Sequence, residues 1–257
     1  MSVNPPASTW IFGRRNRPAA RWRLFCLPHA GGGASFFRQW GQYFPEEIEV
    51  CPVQLPGRET RIRETPRPHF PSLVAELAHA LSPYLDKPYA FLGHSMGALL
   101  SYGLTLHLRS QGLPLPVQIF ASAYRAPHLP APDPWHDLPE AQLIEKLIEL
   151  SSANREMLVN EELRSFFLPV VRADFAVCES YQHAHEEPLA CPLTVLGGLQ
   201  DTRVKREALE AWRVLTSQSF ALHMLPGDHF YLQNWQRPLS QLISTSITRG
   251  VQAPLLF

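Results

Sequence analysis

The pentapeptide Gly93-His94-Ser95-Met96-Gly97 stands between an apolar run, Tyr89 to Leu92, and a helix-length segment beginning at Met96. A turn this tight between a strand and a helix strains the backbone of its central residue. Glycines two positions to either side let neighbouring segments approach without a side-chain clash. The Ser95 hydroxyl is thereby presented at a helix N-terminus, where free N–H groups favour developing negative charge. Motif and context together describe a nucleophile elbow, which demands a sheet whose strands run into helices.

The rest of the chain supplies such a sheet. Apolar runs at Trp22–Leu27, Ile48–Val53, Val117–Ala121, Leu193–Leu196 and Phe220–Met224 read as further strands. Between them, helical spacing predicts helices at Ser35–Phe44, Phe70–Leu85, Met96–Gln111 and Lys205–Leu215, with Gly112 as a C-terminal stop. This alternation predicts an α/β protein with a mainly parallel sheet covered by helices on both faces. One stretch departs from it: from about Pro127 to Cys191 there are helices but no strand. Leu143, Ile144, Leu147, Ile148 and Leu150 form one apolar stripe; Leu163, Phe166, Phe167, Val170, Val171 and Phe175 form another. Ligands of doubly wound sheets bind beyond the carboxyl ends of strands. A helical insertion at residues 127–191 is therefore expected to roof the site as a lid. Residues 1–21 read as a polar lead-in and residues 22–257 as a single domain. The arginines Arg14, Arg15, Arg17, Arg21 and Arg23 suit either a solvated tail or a patch for an acidic partner.

Composition excludes other classes. With 25 prolines spread over 257 residues, a coiled coil or one long helix is out. The 23 basic and 23 acidic side chains cancel, so there is no chain-wide field for nucleic acid. No window approaches the roughly 18 apolar residues of a membrane span, and Met1–Trp10 lacks the pattern of a secretory signal. The four cysteines, Cys26, Cys51, Cys178 and Cys191, form neither a disulfide framework nor a C-x-x-C metal pair. A soluble cytoplasmic monomer with no metal site is expected.

A serine hydroxyl is a weak nucleophile and needs a base. In sheets with this elbow the acid and then the histidine follow the serine along the chain. His229 lies in the turn Pro226-Gly227-Asp228-His229-Phe230, just after the last strand, and is the expected base. Asp201 follows the strand beginning at Leu193 and is the expected acid, holding the imidazole in one tautomer and stabilising the imidazolium. Asp174, in the lid, and Asp228, adjacent to the base, are the reserves. The oxyanion hole is expected to use the N–H of Met96 and a second N–H from the glycine-rich loop Pro28-His29-Ala30-Gly31-Gly32-Gly33, that of Ala30. His29 precedes the elbow and is expected to shape this loop rather than to act as a base.

These residues resemble a known family. Leu27-Pro28-His29-Ala30-Gly31-Gly32, Gln54-Leu55-Pro56-Gly57-Arg58, Gly93-His94-Ser95-Met96-Gly97-Ala98, Arg125-Ala126-Pro127, Gly197-Gly198 with Asp201, and His229-Phe230 occur in the order seen in standalone type II thioesterases of non-ribosomal peptide and polyketide synthase systems. The similarity runs from about Arg23 to Gln233. It implies an α/β-hydrolase fold with a helical lid. It also implies an acyl substrate held as a thioester on the phosphopantetheine arm of a carrier protein. Carrier domains of a synthase would then be the partner, stalled or misprimed acyl groups the target, and no cofactor of the enzyme's own would be needed. Asp228 stands where the family often has glycine, a change expected to touch the basicity of His229. Phe166, Phe167 and Phe175 are candidates for the wall of an acyl chamber, or else ordinary core. The residues by themselves stop at serine acyl-transfer chemistry. A general esterase, an acyltransferase and a non-catalytic carrier-binding module remain as alternatives.

Overall fold

A computed structural model describes residues 9–13, 17, 19–131, 133–150, 154–184 and 186–249. The part of the lead-in that includes Arg14 and Arg15 lies outside them. Six strands, β1 (Trp22–Leu27), β2 (Ile48–Pro52), β3 (Tyr89–His94), β4 (Gln118–Ser122), β5 (Leu193–Gly198) and β6 (Phe220–Leu225), form one sheet in the order β2-β1-β3-β4-β5-β6. Every pairing is parallel. Such strands must bury both faces, and these do so by alternation. Phe25, Leu27 and Phe91 enter one core, while Leu24, Cys26, Ala90 and Leu92 enter the other. Helices α1 (Phe70–Leu81) and α2 (Met96–Ser110) close the first face together with α6 (Arg206–Glu210); α7 (Gln236–Arg249) and the aromatic segment after β1 close the second.

β1 lies between β2 and β3, so successive connections leave it in opposite directions. The loops after β1 and β3 border this topological switch point, where α/β sheets open a crevice. Between β4 and β5 stand three helices, α3 (Glu140–Leu150), α4 (Asn154–Val159) and α5 (Glu161–Ser180). A third apolar cluster, built on Leu143, Leu147, Leu158, Leu168, Val171 and Phe175, holds them together.

Three local expectations are corrected. The predicted helix Ser35–Phe44 is two 3₁₀ segments, Ala34–Phe37 and Trp40–Gln42. Gly41 weakens a helix already poor in strong helix formers, and Phe37, Trp40 and Phe44 reach the core without one. The predicted helix Lys205–Leu215 is α-helical only to Glu210 and tightens to 3₁₀ over Ala211–Leu215. Of the five lead-in arginines, Arg17 and Arg23 are neither solvated nor a patch. The Arg17 guanidinium donates to the carbonyls of Gly41, Phe44, Pro45 and Ile48. Arg23 is buried and donates to Glu49 Oε2 at 2.9 Å, to the Tyr84 carbonyl and to Asp86. Glu49 is as buried as Arg23. Removing Glu49 leaves the buried Arg23 guanidinium matched only in part, by the half-exposed Asp86 carboxylate. Glu49→Ala is therefore expected to cost about 3 kcal/mol, read as a lower urea midpoint at unchanged slope.

Candidate active site

Ser95 adopts φ 53° and ψ −120° between β3 and α2, a conformation unfavourable for a residue with a Cβ. The flanking glycines are compelled by contact. A Cβ on Gly93 would stand 2.0 Å from the Gly97 carbonyl oxygen, and one on Gly97 would stand 2.1 Å from that of Leu27. The elbow is pinned from β4: Ser95 N–H donates to the Ser122 carbonyl at 2.7 Å. Ser122 Oγ lies 2.9 Å from His94 Nδ1 and 2.6 Å from the Tyr231 hydroxyl. Tyr231 follows His229 by two residues, so this one serine links the elbow to the histidine loop.

The acid loop leaves β5 and the histidine loop leaves β6, neighbours in the sheet. Asp201 Oδ2 and His229 Nδ1 are 2.8 Å apart, and both residues are buried. Asp201 Oδ1 accepts the backbone N–H groups of Arg203 and Val204 at 2.8 and 3.1 Å. Burial pushes the Asp201 carboxyl up. The hydrogen bond and charge of His229, with the two N–H donors, outweigh that and leave it below its ordinary value. Its neighbours need close backbone approach: a Cβ on Gly198 would meet the Asp228 carbonyl oxygen at 2.4 Å.

The reserve acids are engaged elsewhere. Asp228 Oδ1 accepts the Phe230 N–H at 2.8 Å, bracing the turn rather than the imidazole. Asp174 is buried in α5 and forms a two-pronged ion pair with Arg58, Nη1–Oδ2 2.5 Å and Nη2–Oδ1 2.8 Å. His29 packs edge-on against Phe36 and Phe230, and its ring fills the space a Cβ on Gly32 would need.

A cavity of about 550 Å³ opens on Ser95 and His229. Ala30 and Gly31 line it, as do Leu147, Met157, Phe167 and Phe175 from α3, α4 and α5. Met96 N–H is at the first position of α2, where no intrahelical partner exists. Phe166 does not line the cavity and is 58% exposed. At about 3.6 residues per turn, Phe166 lies roughly 100° around the helix from Phe167; Leu163, on the same side as Phe167 but in the first turn of α5, is exposed too. Cys178 also lines the cavity, but burial, followed by the charges of Asp174 and Glu179, pushes its thiol up to about 12. It stays protonated and is no rival nucleophile.

Sequence reasoning missed several residues of this region. Trp135 packs at a tilt against Phe175, ring centroids 5.1 Å apart, with the Arg203 guanidinium 4.0 Å and the Lys146 ammonium 5.2 Å from its ring centroid. Trp135 precedes α3 and carries no periodic signal. Ser122 and Tyr231 fall one residue beyond the predicted strand Val117–Ala121 and the turn Pro226–Phe230, and neither belongs to a motif. The Leu-Pro-Gly-Arg run flagged Arg58 but not its partner, 116 residues away.

His29 and His94 are held neutral by their surroundings. Burial foremost, then the charges of His229 and Arg58, lowers His29 to about 3; burial, then His229 and His29, lowers His94 well below its ordinary value. A histidine buried neutral takes up its proton only on unfolding, so stability falls as pH drops below the ordinary imidazole value of about 6.5. Thermal melts from pH 7 to pH 4 are expected to show this loss. His29→Gln is expected to flatten the slope by up to one proton, about 1.4 kcal/mol per pH unit, and an unchanged slope would show that His29 is not buried neutral.

Among the described residues, no group of three or more histidine, cysteine, aspartate or glutamate side chains is arranged to hold a metal ion. No helix among them is long and apolar enough to cross a membrane.

Comparison with known proteins places this geometry. The thioesterase domain family model matches residues 22–249. The gramicidin S biosynthesis protein GrsT of Aneurinibacillus migulanus is 45% identical over 233 residues, spanning 90% of this chain and 91% of that one. RedJ, the thioesterase from the prodiginine biosynthetic pathway in Streptomyces coelicolor, superposes with a TM-score of 0.83 at 37% identity, covering 92% of this chain and 96% of RedJ. The type II thioesterase BorB from the borrelidin biosynthetic cluster superposes with a TM-score of 0.84 at 31% identity, covering 95% of this chain and all of BorB, 100%. The shared architecture is the α/β-hydrolase fold, with its parallel sheet flanked by helices. The chain belongs to the thioesterase family, among the type II thioesterases of non-ribosomal peptide and polyketide synthase systems.

Proposed function

We propose that Ser95, Asp201 and His229 carry out the thioester hydrolysis of this family on acyl groups held by the phosphopantetheine arm of a carrier domain. The biological role is to clear stalled or misprimed acyl groups and free the carrier for another cycle. The observation that carries the reading is the 2.8 Å Asp201–His229 contact opening on the same cavity as the strained Ser95. With Nδ1 held by Asp201, Nε2 is the nitrogen free to take the Ser95 proton.

Ser95 Oγ attacks the thioester carbonyl as His229 accepts its proton. The tetrahedral oxyanion is stabilised by the N–H groups of Met96 and Ala30. Collapse expels the pantetheine thiol, which takes the proton from His229 and leaves an acyl-Ser95 ester. Water, deprotonated by His229, attacks that ester; the acid departs and Ser95 regains its proton. The sequence of steps needs only water as co-reactant, so phosphopantetheine belongs to the partner and the enzyme brings no cofactor. Helices α3, α4 and α5 act as a lid over an acyl chamber walled by Phe167 and Phe175. The protein works as a cytoplasmic monomer.

The test is mass spectrometry of carrier domains loaded with a series of acyl groups. Incubation with the enzyme is expected to return the free-thiol carrier mass together with free acid. Carriers that keep their acyl groups, while simple oxyesters are turned over, would overturn the reading in favour of a general esterase.

A further inference from the structure

The lid and the oxyanion loop are tied together by one buried carboxylate. Asp174, on α5, is 1% exposed. Its Oδ2 accepts the Gly31 N–H at 2.7 Å and one arm of Arg58; its Oδ1 accepts the other arm. Arg58 also donates to the Gly32 carbonyl at 3.1 Å. The turn is closed by Gly32 N–H donating to the His29 carbonyl at 3.0 Å. That carbonyl and the Ala30 N–H belong to the same peptide unit, which is planar and trans, so they point in opposite directions. Whatever holds the His29 carbonyl therefore aims the Ala30 N–H. Gly31 itself is at φ 77°, and a Cβ there would stand 2.8 Å from Val171 and 3.0 Å from Phe167, both on α5. The loop has no room to turn independently of the helix.

We infer that Asp174 and Arg58 are positioning residues that make the oxyanion hole conditional on the seating of α5. They touch neither substrate nor nucleophile. The carboxylate holds the peptide that follows Ala30, the guanidinium holds the carbonyl beyond it, and together they fix the His29–Ala30 peptide plane. With the pair intact the Ala30 N–H is preorganised toward the developing oxyanion. With it broken, the loop relaxes and the donor is lost from the transition state alone. The inference rests on the triad reading above.

The experiment compares three variants, Asp174→Asn, Arg58→Lys and the double variant Asp174→Leu/Arg58→Met, with the unmodified enzyme. The double variant removes both charges at once, so neither is left stranded in the interior, and it keeps the test valid where a single variant fails to fold. Melts establish folding. Each protein is assayed on an acyl-pantetheine thioester and titrated with two inhibitors of the same acyl chain. One is a trifluoromethyl ketone, which adds to Ser95 and presents an oxyanion; the other is an amide isostere, which presents only a neutral carbonyl.

The folded variants are expected to lose roughly 10²-fold in kcat, the scale of one oxyanion donor, with KM little changed. Ketone affinity should fall in step with kcat and amide affinity should hold. Folded variants with unimpaired kcat, or with reduced kcat and full ketone affinity, would overturn the inference. An equal loss of both inhibitors would also overturn it, as a general deformation of the cavity. Failure of the unmodified enzyme to hydrolyse the thioester or bind the ketone would instead indict the triad reading.

Discussion

Ser95→Ala will abolish thioester hydrolysis while the fold survives. The loss in kcat should be on the order of 10⁶-fold, the scale seen when a triad nucleophile is deleted. Nothing else in the cavity can replace the hydroxyl: the one thiol on its wall, Cys178, is held protonated by burial. Folding should be spared, because Ser95 holds the elbow through its backbone. Its N–H bonds the Ser122 carbonyl and its carbonyl accepts the Ala98 N–H. The Oγ enters none of these contacts. Alanine at φ 53° carries the strain that serine already carries. The measurements are single-turnover hydrolysis of an acyl-carrier and a thermal melt. Turnover within tenfold of the unmodified enzyme would remove Ser95 as nucleophile.

Asp201→Asn is expected to cost about 10⁴-fold in kcat at neutral pH with little change in KM. The amide is nearly isosteric, so the 2.8 Å contact with His229 Nδ1 can persist. What is lost is the charge that favours the imidazolium and the acceptor that fixes the tautomer. An asparagine NH₂ turned toward Nδ1 would place the proton on Nε2, the nitrogen that must receive the Ser95 proton. The Oδ1 side enforces that turn, since the Arg203 and Val204 N–H groups require an oxygen there and so leave the NH₂ facing Nδ1. The effect should therefore exceed that of Asp174→Asn by about two orders of magnitude if the latter costs one oxyanion donor. Equal losses, or a larger loss at Asp174, would move the acid assignment. The carboxylate also contributes to stability with a definite sign. Its folded value lies below the ordinary carboxylate value of about 3.9. Its stabilisation is present above that pH and disappears as pH falls through the depressed value.

What could be read along the chain was whatever local geometry imposes on residue type. Gly93 and Gly97 are demanded by contacts within and beside a single turn, so the elbow is visible as a pattern. The core strands are continuous apolar runs because helices cover both faces of the sheet. The insertion before Cys191 is visible because strand signals stop and helical spacing continues. Periodicity failed where its period was satisfied by something other than an α-helix. Phe37, Trp40 and Phe44 recur at helical intervals, yet Phe37 and Trp40 sit on two short 3₁₀ segments and Phe44 lies beyond them. It failed again at Phe166, where the apolar stripe on α5 is wider than the face that meets the cavity. Charge counting misjudged Arg17, because its partners are carbonyls from a segment 24 to 31 residues away, and carbonyls leave no mark in side-chain composition.

From the sequence alone came the parallel α/β architecture, the elbow, and the chain order that put Asp201 and His229 forward. Each follows from spacing, and spacing is a property of the chain itself. Folding decided which carboxylate meets the imidazole and which is consumed elsewhere. Asp201 and His229 meet because β5 and β6 are neighbours whose carboxyl ends finish at the same edge. Asp174, an aspartate also downstream of Ser95, is drawn to Arg58 and the Gly31 N–H instead. A carboxylate in the interior must be matched by donors, and which donors it finds depends on elements packed together across more than a hundred residues.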